Sequence, residues 1–61
     1  MNKLPAVQFK EPLYILDRLD KFNRRTFTIH TDYEVLEETD THVTLESNEG
    51  ILTSINKRRL I

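Results

Sequence analysis

The sequence predicts an α+β domain, with one helix over about residues 12–23 packed on a four- or five-stranded antiparallel meander. Three observations predict it. Residues 41–55 alternate apolar and polar side chains on both sides of the only glycine, the pattern of a β-hairpin. Residues 13–22 place Ile15, Leu16, Leu19 and Phe22 at i, i+1, i+4 and i+7, a helical stripe. The remaining chain breaks into short apolar runs separated by turn residues.

The register of the hairpin follows from its residues. A three-residue loop of Asn48, Glu49 and Gly50 sets Ser47 opposite Ile51, Leu45 opposite Thr53 and Val43 opposite Ile55. The large apolar residues then share one face, except Leu52. Loops of two or four residues scatter them, because a one-residue slip turns every side chain over. The glycine also falls last in the loop, where a type I turn with a bulge needs positive φ.

Residues 1–10 contain Pro5 and read as a flexible arm or an added edge segment. Pro12 suits a first helical turn, with Glu11 beside it at the positive end of the helix dipole. Asp17 and Lys21 are spaced to pair across one turn of that helix. Asn23 ends it, and Arg24 and Arg25 follow at its negative end. Residues 26–30 alternate Phe27 and Ile29 with threonines and read as a strand, with a turn at Thr31-Asp32.

Residues 33–39 form a strand of ambiguous phase, because Val35 and Leu36 are adjacent and face opposite ways. A two-residue turn at Asp40-Thr41 puts Leu36 opposite Leu45 in the core. One more loop residue brings in Tyr33 and Val35 and leaves Leu36 out. Residues 55–61 read as a final strand, or as a 3₁₀ turn followed by one, and the terminal Leu60-Ile61 pair suggests a docked end. Such a chain forms an open sheet with the helix across it, or curls into a small SH3-like or Sm-like barrel.

Composition bounds the function. A chain of 61 residues makes a single domain and buries only about 60% of its unfolded surface, so partner binding or oligomerisation is a natural way to bury more. The absence of cysteine removes disulfides and thiolate metal sites and fits a reducing cytoplasm. No run reaches the roughly 18 apolar residues of a membrane span, so no membrane partner is expected. One glycine excludes a Gly-rich phosphate loop, and no cofactor motif is present. His30, Asp32 and Glu34 share a strand face, the default polar pattern of a solvated strand rather than a metal set. His42 reads as a surface residue at a turn. Glu37 and Glu38 point to opposite faces and do not form an acid–base pair. The expectation is no enzyme, because a chain this short struggles to enclose a water-excluding site.

Charge is segregated along the chain. Residues 1–30 carry net +3, residues 31–53 net −7 with no Lys or Arg, and residues 54–61 net +3, giving −1 in all. Two candidate surfaces follow. The first is acidic: Glu34, Glu37, Glu38, Asp40, Glu46 and Glu49, with Leu52 as its exposed apolar residue. Such a strand surface suits a small protein-interaction module, regulator or inhibitor that docks on another protein. The second is basic: Arg24, Arg25, Lys57, Arg58 and Arg59. Five converging cations hold a phosphate backbone, which makes a small nucleic-acid-binding domain the alternative. A third reading is a homo-oligomer joined through sheet edges. For each surface the plain counterpart is a solvated face that balances charge or protects strand edges.

Overall fold

The computed structural model describes residues 5–16 and 24–61. Among these residues seven short strands run in chain order: β1 Ala6–Val7, β2 Leu13–Leu16, β3 Arg24–Phe27, β4 Tyr33–Glu34, β5 Glu37–Glu38, β6 His42–Glu46 and β7 Leu52–Asn56. A 3₁₀ turn, Lys57–Arg59, follows. The strands make three antiparallel sheets, β1–β4, β2–β3 and β5–β6–β7. The fold is therefore mostly β, and the α+β expectation is wrong. Among the described residues the strands form neither one continuous meander nor a single closed barrel.

The expected helix over residues 12–23 is replaced, where it is described, by β2 paired with β3 from Leu13↔Phe27 to Leu16↔Arg24. Its first residues, Leu13-Tyr14-Ile15-Leu16, are a continuous apolar run, which fits a strand as well as a helix. Pro12 is equally at home just before a strand. Tyr14 and Leu16 are exposed while Leu13 and Ile15 are half-buried, the alternation of a strand. Leu19, Phe22 and the Asp17–Lys21 pair lie outside the described residues. Among the described residues no helix is long and apolar enough to cross a membrane.

The β6–β7 hairpin has the register its sequence predicts, with Val43↔Ile55 and Leu45↔Thr53. The Ser47 N–H donates to Ile51 O at 2.9 Å and the Gly50 N–H to Ser47 O at 2.8 Å. The Ser47 hydroxyl accepts from the amides of Glu49 and Ile51, both at 3.2 Å. Gly50 has φ of 82°, and Leu52 points away from the core.

The phase of residues 33–39 is resolved by a bulge. The turn is the two-residue one, with the Thr39 N–H donating to His42 O at 2.8 Å. Thr44 lies opposite Glu37, yet its carbonyl also accepts the Leu36 N–H at 2.9 Å. Two residues thus face one, the mark of a β-bulge. The extra residue shifts the alternation, so Tyr33 and Val35 reach the core and Leu36 is left half-buried. The turn expected at Thr31-Asp32 falls at residues 29–30, with His30 at φ 58°. The strand expected over residues 26–30 begins two residues earlier and leaves Ile29 exposed.

The core lies where the three sheets meet. Val7, Phe9, Phe27, Tyr33, Val35, Val43, Leu45, Ile55 and Leu60 form it, with Leu13 packed against it. Phe9 and Phe27 stack with centroids 4.8 Å apart, and Tyr33 meets both edge-on at 5.5 and 5.3 Å. Residues 5–9 are thus part of the body: Ala6–Val7 pairs with Tyr33–Glu34, and Phe9 bridges Leu60. At the C-terminus Leu60 is buried after the 3₁₀ turn, whereas Ile61 is exposed.

Two stability outcomes follow. A Cβ at Gly50 would meet only an ordinary contact, Glu46 Oε1 at 3.6 Å, so the cost of substitution is the positive φ. Gly50→Val should destabilise by roughly 1–2 kcal/mol in denaturant unfolding, and an unchanged midpoint would refute this. Phe27→Ala should cost roughly 3–5 kcal/mol. For 61 residues the whole stability expected is about 3–9 kcal/mol. Phe27→Ala should therefore remove at least about a third of the stability and lower the denaturant midpoint to match, while Phe27→Leu should lose less.

Candidate functional site

Alternation on β6 and β7 builds two unlike faces. Val43, Leu45, Thr53 and Ile55 are buried beneath the sheet. His42, Thr44, Glu46, Leu52, Ser54 and Asn56 therefore point the other way. The pairing lays them out in rows: His42 opposite Asn56, Thr44 opposite Ser54, and Glu46 opposite Leu52. Glu37, opposite Thr44, extends the middle row. This outer face is polar and acidic, with one large aliphatic side chain.

The acidic candidates separate by what their carboxylates touch. Glu37 and Glu46 are exposed on the outer face; Glu46 lies opposite Leu52, whereas Glu37 is two strands from it, in the row of Thr44. Glu38 is opposite Val43, on the inner side, and forms a half-buried ion pair with Lys57 Nζ at 2.6 Å. Asp40 is exposed in the turn before β6, and Glu34 is exposed on β4, in another sheet. Glu49 accepts from the Thr26 amide at 2.7 Å and the Thr26 hydroxyl at 2.6 Å. It clips the β6–β7 turn to β3, where Asn48 N–H also donates to Thr26 O at 3.0 Å. Of the expected acidic surface, Glu37, Glu46 and Leu52 share one face, while Glu38 and Glu49 act as struts.

The basic candidates do not share one site. Arg24 and Arg25 belong to β3, and the Arg25 Nε is buried without a hydrogen-bond partner. Lys57 is taken by Glu38. Arg58 and Arg59 instead flank a cleft with Lys10, Glu11 and Pro12, above Phe9 and Leu13. Lys10 was not singled out in the sequence. The alternation of Val7 and Phe9 with Gln8 and Lys10 would have revealed a strand leading to it.

His30, Asp32 and Glu34 are not gathered. His30 sits in a left-handed turn, Asp32 accepts from Gln8 Nε2 at 2.7 Å, and Glu34 lies opposite Ala6. Among the described residues no group of three or more His, Asp or Glu side chains is placed to hold a metal.

Comparison of this chain with protein-family models, with curated proteins and with solved structures gives no match.

The Glu49 clip carries a pH signature. The Thr26 hydroxyl first, and the Thr26 amide second, stabilise the ionised carboxylate and hold it below the usual carboxylate range. A depressed folded value means that this contribution is fully present above the ordinary carboxylate pKa. It is lost as pH falls through the folded value. The Thr26 amide resonance should therefore titrate with a midpoint below that of glutamate in an unstructured peptide. In Glu49→Gln that transition should vanish; its persistence would assign the shift to another group.

Proposed function

We propose that this chain is a small non-enzymatic protein-interaction module whose outer β5–β6–β7 face docks on a basic surface of a partner protein. The observation that carries the reading is Leu52. It is 62% exposed, on a hairpin whose other large apolar residues face the core, and it lies directly opposite Glu46. An aliphatic side chain beside one carboxylate, with a second on the same face in the row of Thr44, combines the two parts of a docking surface. Burial of an exposed leucine contributes about 1–2 kcal/mol. Nearby carboxylates steer a cationic partner and reject an anionic one, in a salt-sensitive way.

Several features support this face over the remaining surface. Glu37 and Glu46 have no cation paired with them among the described residues, where the Lys57–Glu38 bridge is the ion pair formed. The face is built on the most regular element of the fold, so its side chains are held in fixed rows. Neither Glu37, Glu46 nor Leu52 contributes to the core, so the fold does not depend on them.

The experiment compares the wild-type chain with Leu52→Asp and with Glu37→Lys/Glu46→Lys. Affinity capture from the native host should return a partner with a basic contact surface, mapped by crosslinks to residues 37, 46 and 52. Both variants should fold, and each should weaken the complex by about tenfold or more, the loss expected of a removed apolar anchor or of juxtaposed like charges. A partner retained equally by both variants would overturn the reading.

A further inference from the structure

The outer face leaves unexplained a cleft between the N-terminal segment and the 3₁₀ turn. Its volume is about 300 Å³, and its walls are residues 9–13 on one side and Arg58 and Arg59 on the other. That volume is at the lower end of the range of small-molecule sites, roughly 300–1,000 Å³. It is too small for a folded partner and suits a compact ligand.

The backbone holds the two walls in register. The Lys10 N–H donates to Arg59 O at 3.0 Å, and the Ile61 N–H to Gln8 O at 3.0 Å. Phe9 and Leu60 form a bridge between them. The 3₁₀ turn is fixed at its start by Asn56, whose Oδ1 accepts the Arg58 N–H at 3.0 Å. The charged side chains therefore project from anchored positions.

The lining has a definite chemistry. Lys10, Arg58 and Arg59 supply three cations and Glu11 one carboxylate, a balance of +2. None of the three cations is ion-paired among the described residues. This differs from neighbouring Lys57, which Glu38 neutralises. A phosphomonoester carries about −1.5 to −2 at neutral pH and three acceptor oxygens. Two guanidinium groups offer it paired donors in a planar fork. Pro12 and Leu13, over the ring of Phe9, offer an apolar surface to the rest of such a molecule.

We propose that this cleft binds a small phosphate ester, with the phosphate held by Lys10, Arg58 and Arg59 and the organic part lying against Pro12 and Leu13. The site is separate from the outer face and does not depend on what docks there. A strand of nucleic acid presents the same phosphate chemistry, but it would need a continuous track of cations. Arg24 and Arg25 do not line the cleft, and Lys57 is already paired.

The test is a titration of the full chain followed by amide NMR, with phenyl phosphate, inorganic phosphate and benzoate as probes. Phenyl phosphate should shift the amides of Lys10, Glu11, Arg58 and Arg59 and saturate, with a dissociation constant on the order of 0.1–1 mM. Inorganic phosphate should bind the same amides more weakly, and benzoate weakest. Arg58→Ala/Arg59→Ala, which alters only exposed side chains, should keep the wild-type spectrum and weaken binding about tenfold or more. Arg24→Ala should leave it unchanged. Lack of saturation at about 10 mM, or equal loss in Arg24→Ala, would overturn the site. So would a short single-stranded oligonucleotide that binds tightly and moves the amides of Arg24 and Arg25 as well, because that outcome makes the surface a nucleic-acid track.

Discussion

The contact of Phe9, Phe27 and Tyr33 holds this structure together. None of the three sheets is large enough to stand alone, since two or three short strands bury too little apolar surface. Each sheet therefore depends on a side chain that another sheet receives. Phe27 ends β3, Tyr33 opens β4, and Phe9 lies between β1 and β2 and ties the N-terminal segment to Leu60. The rings meet in stacked and edge-on geometries, which add attraction beyond the area they bury. Tyr33 also carries a polar join. Its hydroxyl accepts the Thr28 N–H at 2.8 Å and donates to Asn48 Oδ1 at 2.8 Å. The residue that fills the core thus also fixes the β6–β7 turn against the segment after β3.

This arrangement explains which charged residues are free. Two acids are recruited as struts: Glu49 joins the β6–β7 turn to Thr26 of another sheet, and Glu38 ties β5 to Lys57 at the end of β7 within one sheet. Both act between segments distant in sequence. Carboxylates in the middle of the outer face have no such neighbour, because the sheet there is backed by core and faces solvent. The segregation of charge along the chain is consequently not cancelled by pairing among the described residues. It becomes local chemistry, acidic around Leu52 and basic around the cleft.

What the sequence made legible was whatever two independent signals supported. The β6–β7 register was readable because apolar alternation and the single glycine agreed on one loop length. The exposed position of Leu52 followed from that register. The bulge at Leu36 was not readable, because each candidate phase assumed an uninterrupted strand, and one inserted residue reconciles a short turn with a buried Val35. The helix was misread because Leu13-Tyr14-Ile15-Leu16 satisfies either period, and the stripe leaned on Leu19 and Phe22 to choose. The buried position of Phe9 was only weakly signalled, because the alternation of Val7 and Phe9 is short and Pro5 interrupts the segment before it. The basic cleft was half visible: Arg58 and Arg59 stood out as a run, but their partner Lys10 is nearly fifty residues away and is brought to them only by the Phe9–Leu60 bridge.

The two surfaces are joined through β7, which contributes Leu52 to one and leads directly into Arg58 and Arg59 at the other. Their electrostatics are nevertheless local. β7 runs from Leu52 to Asn56 before the turn that carries Arg58 and Arg59, about 13 Å of extended chain, which exceeds the Debye length of ~8 Å at physiological salt. The cleft is lined by residues 9–13, Arg58 and Arg59, none of which belongs to the outer face around Leu52. A cation approaching the outer face is thus governed mainly by Glu37 and Glu46, and an anion approaching the cleft mainly by Lys10, Arg58 and Arg59. The net charge of −1 describes neither encounter. A chain that is nearly neutral in total can in this way present opposite signs to two ligands. The Lys57–Glu38 pair neutralises the one cation of the terminal run that faces the acidic strands.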